Sequence, residues 1–262
     1  MNIIKRELRS NLKALIIWVS VLSLIILVAS TEFAVYHDNP DLIAAFEGFE
    51  DMFAALGGSI ANIGTPEGFL SLMSIYLYLP ASIYGALLGS LIISKEEKDR
   101  TAEYLFTLPV TRNQVLRSKI IAAIFYQIVF VTVIILASIL IFYRYDLDEN
   151  FYSFMRHMFV ALTMTSLIFM SIGMLLASYL EQYKRSGSLT LGLLIGTYML
   201  NMLIEVVEEL EFLKYVVPFQ YFTAENMINS NIEFIFVFLS LLIITSCLSG
   251  VFIFYKKRDL YI

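Results

Sequence analysis

The alternation of apolar and polar stretches divides the chain into six long hydrophobic runs, at residues 14–30, 70–93, 120–143, 157–180, 187–204 and 234–255. A helix needs roughly 17–25 apolar residues to cross the hydrocarbon core of a bilayer, so each run is expected to span a membrane once. The expected fold is all-α: a polytopic membrane protein of six transmembrane helices in one domain covering residues 1–262. Pro80 stands inside the second run and has no N–H to donate, which predicts a kink there. Ahead of the first run, Ile4, Leu8, Leu12 and Leu15 recur at helical spacing, with Lys5, Arg6, Arg9 and Lys13 around the rest of the turn. That pattern predicts an N-terminal amphipathic helix at the membrane interface, its cations on anionic lipid headgroups. A basic start before an apolar run is also the layout of a secretory signal. The amphipathic first part and the absence of a small-residue cleavage site favour a first span instead.

Between the second and third runs lies a polar island, residues 94–119, reading SKEEKDRTAEYLFTLPVTRNQVLRSK and carrying six of the 18 Lys and Arg residues. Within it Tyr104, Leu105 and Leu108 share one side of a helix begun near Thr101, and Pro109 ends that helix. Thr111 and Gln114 then have capping-box spacing, with Val110 and Val115 placed as a hydrophobic staple, so a new helix starts there and runs into the third span. The 101–108 rod reads either as part of a solvated loop or as a docking element. Its apolar face and its abrupt stop favour docking.

Two other polar stretches are acidic. Residues 31–69 hold seven Asp and Glu and no Lys or Arg. Within them Pro40 opens a pattern of Leu42, Phe46, Phe49, Phe53 and Leu56 that Gly57 and Gly58 end, which predicts an amphipathic helix resting on the outer surface. Residues 205–233, broken at Pro218, predict short outer helices between spans five and six. Inside the spans, Ala81, Gly85 and Gly89, and again Ser188, Gly192 and Gly196, form small-residue stripes of the kind that lets helix backbones approach in lipid.

Charge placement orients the chain. With six spans, the segments sharing a side with the termini carry 15 of the 18 basic residues, against Arg144, Arg156 and Lys214 on the other. The excess of cations marks the cytoplasmic side, so both termini and the 94–119 island are expected there, in a multi-pass protein of the cell membrane. Composition agrees: hydrophobic residues are 59 %, mean hydropathy is +0.76, and charged residues are 16 %, below the quarter usual in soluble domains. No nucleic-acid partner is expected.

Several chemistries lack their residues. There is no G-x-x-x-x-G-K-[ST] run, so the chain has no phosphate-binding loop of its own. His37 and His157 lie far apart and Cys247 is the single cysteine, so no metal site is expected. The middle of every span is free of ionisable residues, whereas proton-coupled carriers and intramembrane enzymes display them. Neutral polar groups do occur there, among them Gln127, Thr163, Thr197 and Asn201, which either bond across helices or line a path. A stand-alone secondary carrier or channel is the alternative function, and it would call for an internal repeat.

The T-P-E-G at residues 65–68, and Glu97 followed by T-A-E-Y-L-F-T-L-P-V-T-R at residues 101–112 leading into Lys119, resemble the permease subunits of ABC-2 type transporters. The layout of interfacial helix, six spans, long first outer loop and outer helices before the last span is similar too. Arg100 departs from the pattern, which usually has Gly there. The resemblance implies a membrane half that pairs with a second permease copy or a paralogue and with two cytoplasmic ATP-binding subunits. Residues 101–108 would be the coupling helix, with Glu97, Thr101, Tyr104, Leu105, Leu108 and Arg112 docking the ATPase, and residues 1–13 the connecting helix. ATP and magnesium would then sit on the partner, and this chain would be no enzyme but the path of an exporter.

Overall fold

A computed structural model describes residues 3–37, 39, 47–49, 52, 62–98, 111–180, 183–229 and 231–257. Six of its helices are long and apolar enough to cross a membrane. They are α1 (Ile3–His37), α3 (Ile75–Lys98), α4 (Arg112–Phe142), α5 (Glu149–Tyr179), α6 (Tyr183–Val206) and α8 (Phe234–Lys257). Short helices α2 (Pro66–Leu72) and α7 (Ala224–Ile228) are also among the described residues, with 3₁₀ turns at Glu47–Phe49, Glu208–Tyr215 and Pro218–Gln220. The chain is an all-α polytopic membrane protein; among the described residues there is no strand.

Local chemistry sets the helix starts. Thr65 caps α2, its hydroxyl accepting from Gly68 N at 3.2 Å, and Pro66 occupies the first helical position, where a missing N–H costs nothing. Thr111 caps α4 in a full capping box: Gln114 N donates to the Thr111 hydroxyl at 3.3 Å, and Thr111 N donates to Gln114 Oε1 at 2.9 Å. Asp148 caps α5 through Phe151 N at 2.9 Å. The interruption expected at Pro80 is found elsewhere. Pro80 lies inside an unbroken α3, and the chain breaks at Met73–Ser74, where Ser74 N and Leu77 N take three-residue turn bonds to Ser71 O and Ser74 O. Residues 3–13 are the first turns of α1 itself, which at about 1.5 Å per residue is over 50 Å long.

Helices α3 and α5 form the centre and are the most enclosed; α1, α6 and α8 lie at the periphery with apolar faces turned outward. Where α3 meets α5 the backbones touch. A Cβ on Gly85 would sit 2.5 Å from Ser166 O, one on Gly89 would collide with Met170 O, and one on Gly173 would sit 2.6 Å from Ala86 O. The offset from 85 to 166 equals that from 89 to 170, so the two helices run parallel in register, and only glycine permits that approach.

At one end of the bundle Phe33 anchors an aromatic cluster, with ring centroids 5.3 Å from Phe69, 5.6 Å from Phe142 and 4.7 Å from Tyr145. Tyr145 and Arg144 both donate to Ser30 O, at 3.1 and 2.9 Å, joining α1 to the end of α4. The segment after α6 is not a surface stretch throughout, as its acidic flanks suggested. Residues Val217 to Phe222 are all buried, with Phe219 packed 5.3 Å from Phe169 and 5.5 Å from Tyr198. Tyr78 donates to Phe222 O at 3.3 Å, and Tyr221, whose hydroxyl burial pushes up, donates to Tyr215 O at 2.6 Å. The reason is compositional: P-F-Q-Y-F brings three aromatic rings whose burial outweighs the polar flanks. Most of the helix expected at residues 40–56 lies outside the described residues; Phe49 is exposed in its 3₁₀ turn.

Candidate functional site

The opposite end of the bundle is the basic one, and there the start of α1 meets the two helices that flank the polar island, α3 and α4. Helix α1 brings Arg6 and Glu7, the last turn of α3 brings Lys95 and Glu96, and the second turn of α4 brings Lys119. Lys119 is fully enclosed, at 0 % exposure, and Glu96 and Glu7 follow at 3 % and 1 %. A buried lysine needs acceptors, because an isolated ammonium in an apolar setting is costly. Lys119 finds two: Glu96 Oε2 at 2.5 Å and the backbone oxygen of Ile92. Ile92 and Glu96 are one turn apart in the last two turns of α3, the end of the helix that favours a cation.

The same carboxylate faces α1. Arg6 Nη2 stands 3.6 Å from Glu96 Oε1, and Lys95 Nζ stands 3.5 Å from Glu7 Oε2 while also donating to the Ser10 hydroxyl. Two neighbouring residues on α1, cation then anion, thus oppose two neighbours on α3 in the crossed sense. These two contacts exceed hydrogen-bond length and are charge contacts. Tyr126 of α4 donates to Leu8 O, which ties α4 to α1 directly. Arg112, the first residue of α4 and exposed, donates to Lys256 O at 3.2 Å and so joins α4 to the end of α8. The two stems of the island, α3 and α4, are therefore bolted to each other and to α1.

Thr101, Tyr104, Leu105 and Leu108 lie outside the described residues. Glu97 is half-buried in the last turn of α3, next to the clustered Glu96. Of the α1 cations only Arg6 enters the cluster; Lys5, Arg9 and Lys13 are exposed. Ala81, Gly85 and Gly89 are buried, the two glycines against α5. Ser188 is exposed and donates to Lys184 O at 3.2 Å, while Gly192 and Gly196 have open space where a Cβ would go, so this stripe faces away from the chain. Gln127 and Thr163 are buried within the single chain, Gln127 beside Gly85, and neither side chain has a hydrogen-bond partner among the described residues. Thr197 and Asn201 stand one turn apart on α6; Thr197 donates to Leu194 O at 2.9 Å, and Gln220 donates to Asn201 O at 3.5 Å and to Glu205 at 2.7 Å.

Sequence reasoning did not find the cluster of Glu7, Lys95, Glu96 and Lys119. A signal was present: Lys119 follows Val115 and Leu116 at helical spacing, which places a charge at a core position of α4, and Glu7 does the same beside Ile4 and Leu8.

Among known proteins, the family model described as ABC-2 family transporter protein matches residues 1–260. No curated protein matches the chain.

Proposed function

Because the chain belongs to the ABC-2 family of transporter proteins, we propose that it forms one membrane half of an ATP-driven exporter, paired with a second permease copy or paralogue and with two separate ATP-binding subunits. Members of this family are the membrane component of transport and not its catalyst. The observation that carries the reading is the family match over the whole chain, on a bundle of six membrane-crossing helices. In this reading ATP and magnesium belong to the partner, the termini and the basic end are cytoplasmic, and residues 101–108 dock the partner with Glu97 and Arg112 at their flanks.

The basic-end cluster supports a mechanical role for that arrangement. A push on residues 99–110 acts on the ends of α3 and α4, and the Glu96 carboxylate, gripped by Lys119 and Arg6, passes it to α1. Three helix ends then move as one body, which is how packed bundles convert a small displacement into a change of state. The test is expression with the candidate ATPase, followed by purification through a tag on this chain. The ATPase should co-purify and hydrolyse ATP only in the complex. Robust hydrolysis by the chain alone, persisting through further purification, would contradict the proposal.

A further inference from the structure

Near the acidic end, α1 and the α2–α3 junction leave a groove of about 480 Å³ between them. Leu24 and Val28, one turn apart on α1, form one wall, and Met73 and Tyr76 form the other. Glu32, one further turn along the same face, closes the acidic end of the groove. The walls are apolar and open sideways: Leu24, Val28 and Tyr76 are each more than half exposed on a stretch whose composition places it in lipid. From Leu24 to Glu32 the helix rises about 12 Å, which is the length of a medium alkyl chain.

The carboxylate gives the groove its sign. Among the described residues no Lys or Arg forms an ion pair with Glu32. The nearby cation Arg144 is committed to Ser30, two residues earlier and so on the opposite face of α1. The surrounding stretch reinforces that sign, since residues 31–69 contain seven acids and no Lys or Arg. An apolar groove that ends at a carboxylate with no ion pair among the described residues is complementary to an apolar tail with a positive head.

We propose that this groove binds single-chain cationic amphiphiles, the tail lying along Leu24 and Val28 and the head at Glu32. The site rests on the membrane-spanning character of the chain and not on any ATPase partner, so a binding assay tests it separately from transport.

The experiment uses the full chain in phosphatidylcholine nanodiscs and a pair of photoreactive probes with the same diazirine-bearing dodecyl tail, one headed by trimethylammonium and one by sulfonate. After illumination, labelled peptides are mapped by mass spectrometry. The cationic probe should label peptides containing Leu24–Val28 and Met73–Tyr76 at about five- to tenfold lower concentration than the anionic one. Glu32→Gln, an exposed and nearly isosteric change, should erase that preference and leave tail labelling intact, the effect expected of removing one interfacial charge. Val28→Trp, at a half-exposed position, should fill the groove and suppress both probes. Equal labelling by the two heads would make the groove an ordinary lipid seat and overturn the proposal. Labelling absent there but present elsewhere would mean another occupant, such as a second copy of the chain, and would overturn it equally.

Discussion

Lys119 and Glu96 meet at 2.5 Å although 23 positions separate them in the chain, and both are buried. The pair closes the loop formed by the polar island at its base. Under the proposed docking, a load on the island is passed to a carboxylate that α1 also holds through Arg6.

Removing one member of that pair should be much worse than removing both. Lys119→Met leaves Glu96 buried with only the half-exposed Arg6, a loss of about 3–5 kcal/mol, whereas Lys119→Met with Glu96→Leu should recover most of it. Thermal unfolding of the purified variants in nanodiscs measures this. A single variant as stable as the wild type would show that the enclosure of Lys119 is of no consequence.

The crossed pairing of Arg6 and Glu7 with Lys95 and Glu96 predicts charge-swap rescue. Glu7→Lys or Lys95→Glu alone sets like charges against each other; together they restore an opposite pair. The coupling between them should be about 0.5–3 kcal/mol in a double-mutant cycle on unfolding midpoints. Strict additivity would place the two side chains out of contact.

Small residues in the two stripes should differ sharply. Gly85→Leu forces α3 and α5 apart, because the added Cβ starts 2.5 Å from a carbonyl oxygen that cannot move without its helix. Overpacking of this kind costs about 1–3 kcal/mol or more and should appear as aggregation in size-exclusion profiles. Gly192→Leu meets open space and should leave the single chain's fold intact. If it nonetheless alters the oligomeric state, the face it occupies is where a second copy sits.

Docking through residues 101–108 predicts that Leu105→Asp abolishes co-purification of the ATPase, since an unpaired charge in a desolvated pocket costs several kcal/mol. Single charge reversals at Glu97 or Arg112 should weaken the complex by only about 0–1 kcal/mol. Pull-down with each variant, after a check that all insert and remain monodisperse, separates the two. Full binding by Leu105→Asp would put the docking surface elsewhere.

What could be read from the chain in advance was local or periodic. The spans announce themselves by hydropathy, and the Thr111 helix start by Thr111 and Gln114, three residues apart. The break at Met73–Ser74 was missed because Pro80 is the louder signal, yet its missing N–H leaves α3 unbroken. The burial of residues 217–222 was missed because acidic neighbours in sequence are not neighbours in space. The charge cluster was invisible for the same reason. Glu7 and Lys95 lie far apart in the chain, and nothing nearer than the folded bundle says that they face each other.

The cluster also sets a clock for the making of the protein. Arg6 and Glu7 leave the ribosome long before Lys119: at roughly 5–20 residues per second, the interval is on the order of 6–23 s. Through most of that time α1 carries the Glu7 carboxylate while its partner Lys95 does not yet exist, and the Tyr126 tie from α4 comes later still, so the first helix to be synthesised is among the last to be locked in place. The early chain must be sheltered at the membrane until α4 arrives, and a slow patch of translation between residues 98 and 119 would lengthen that exposure.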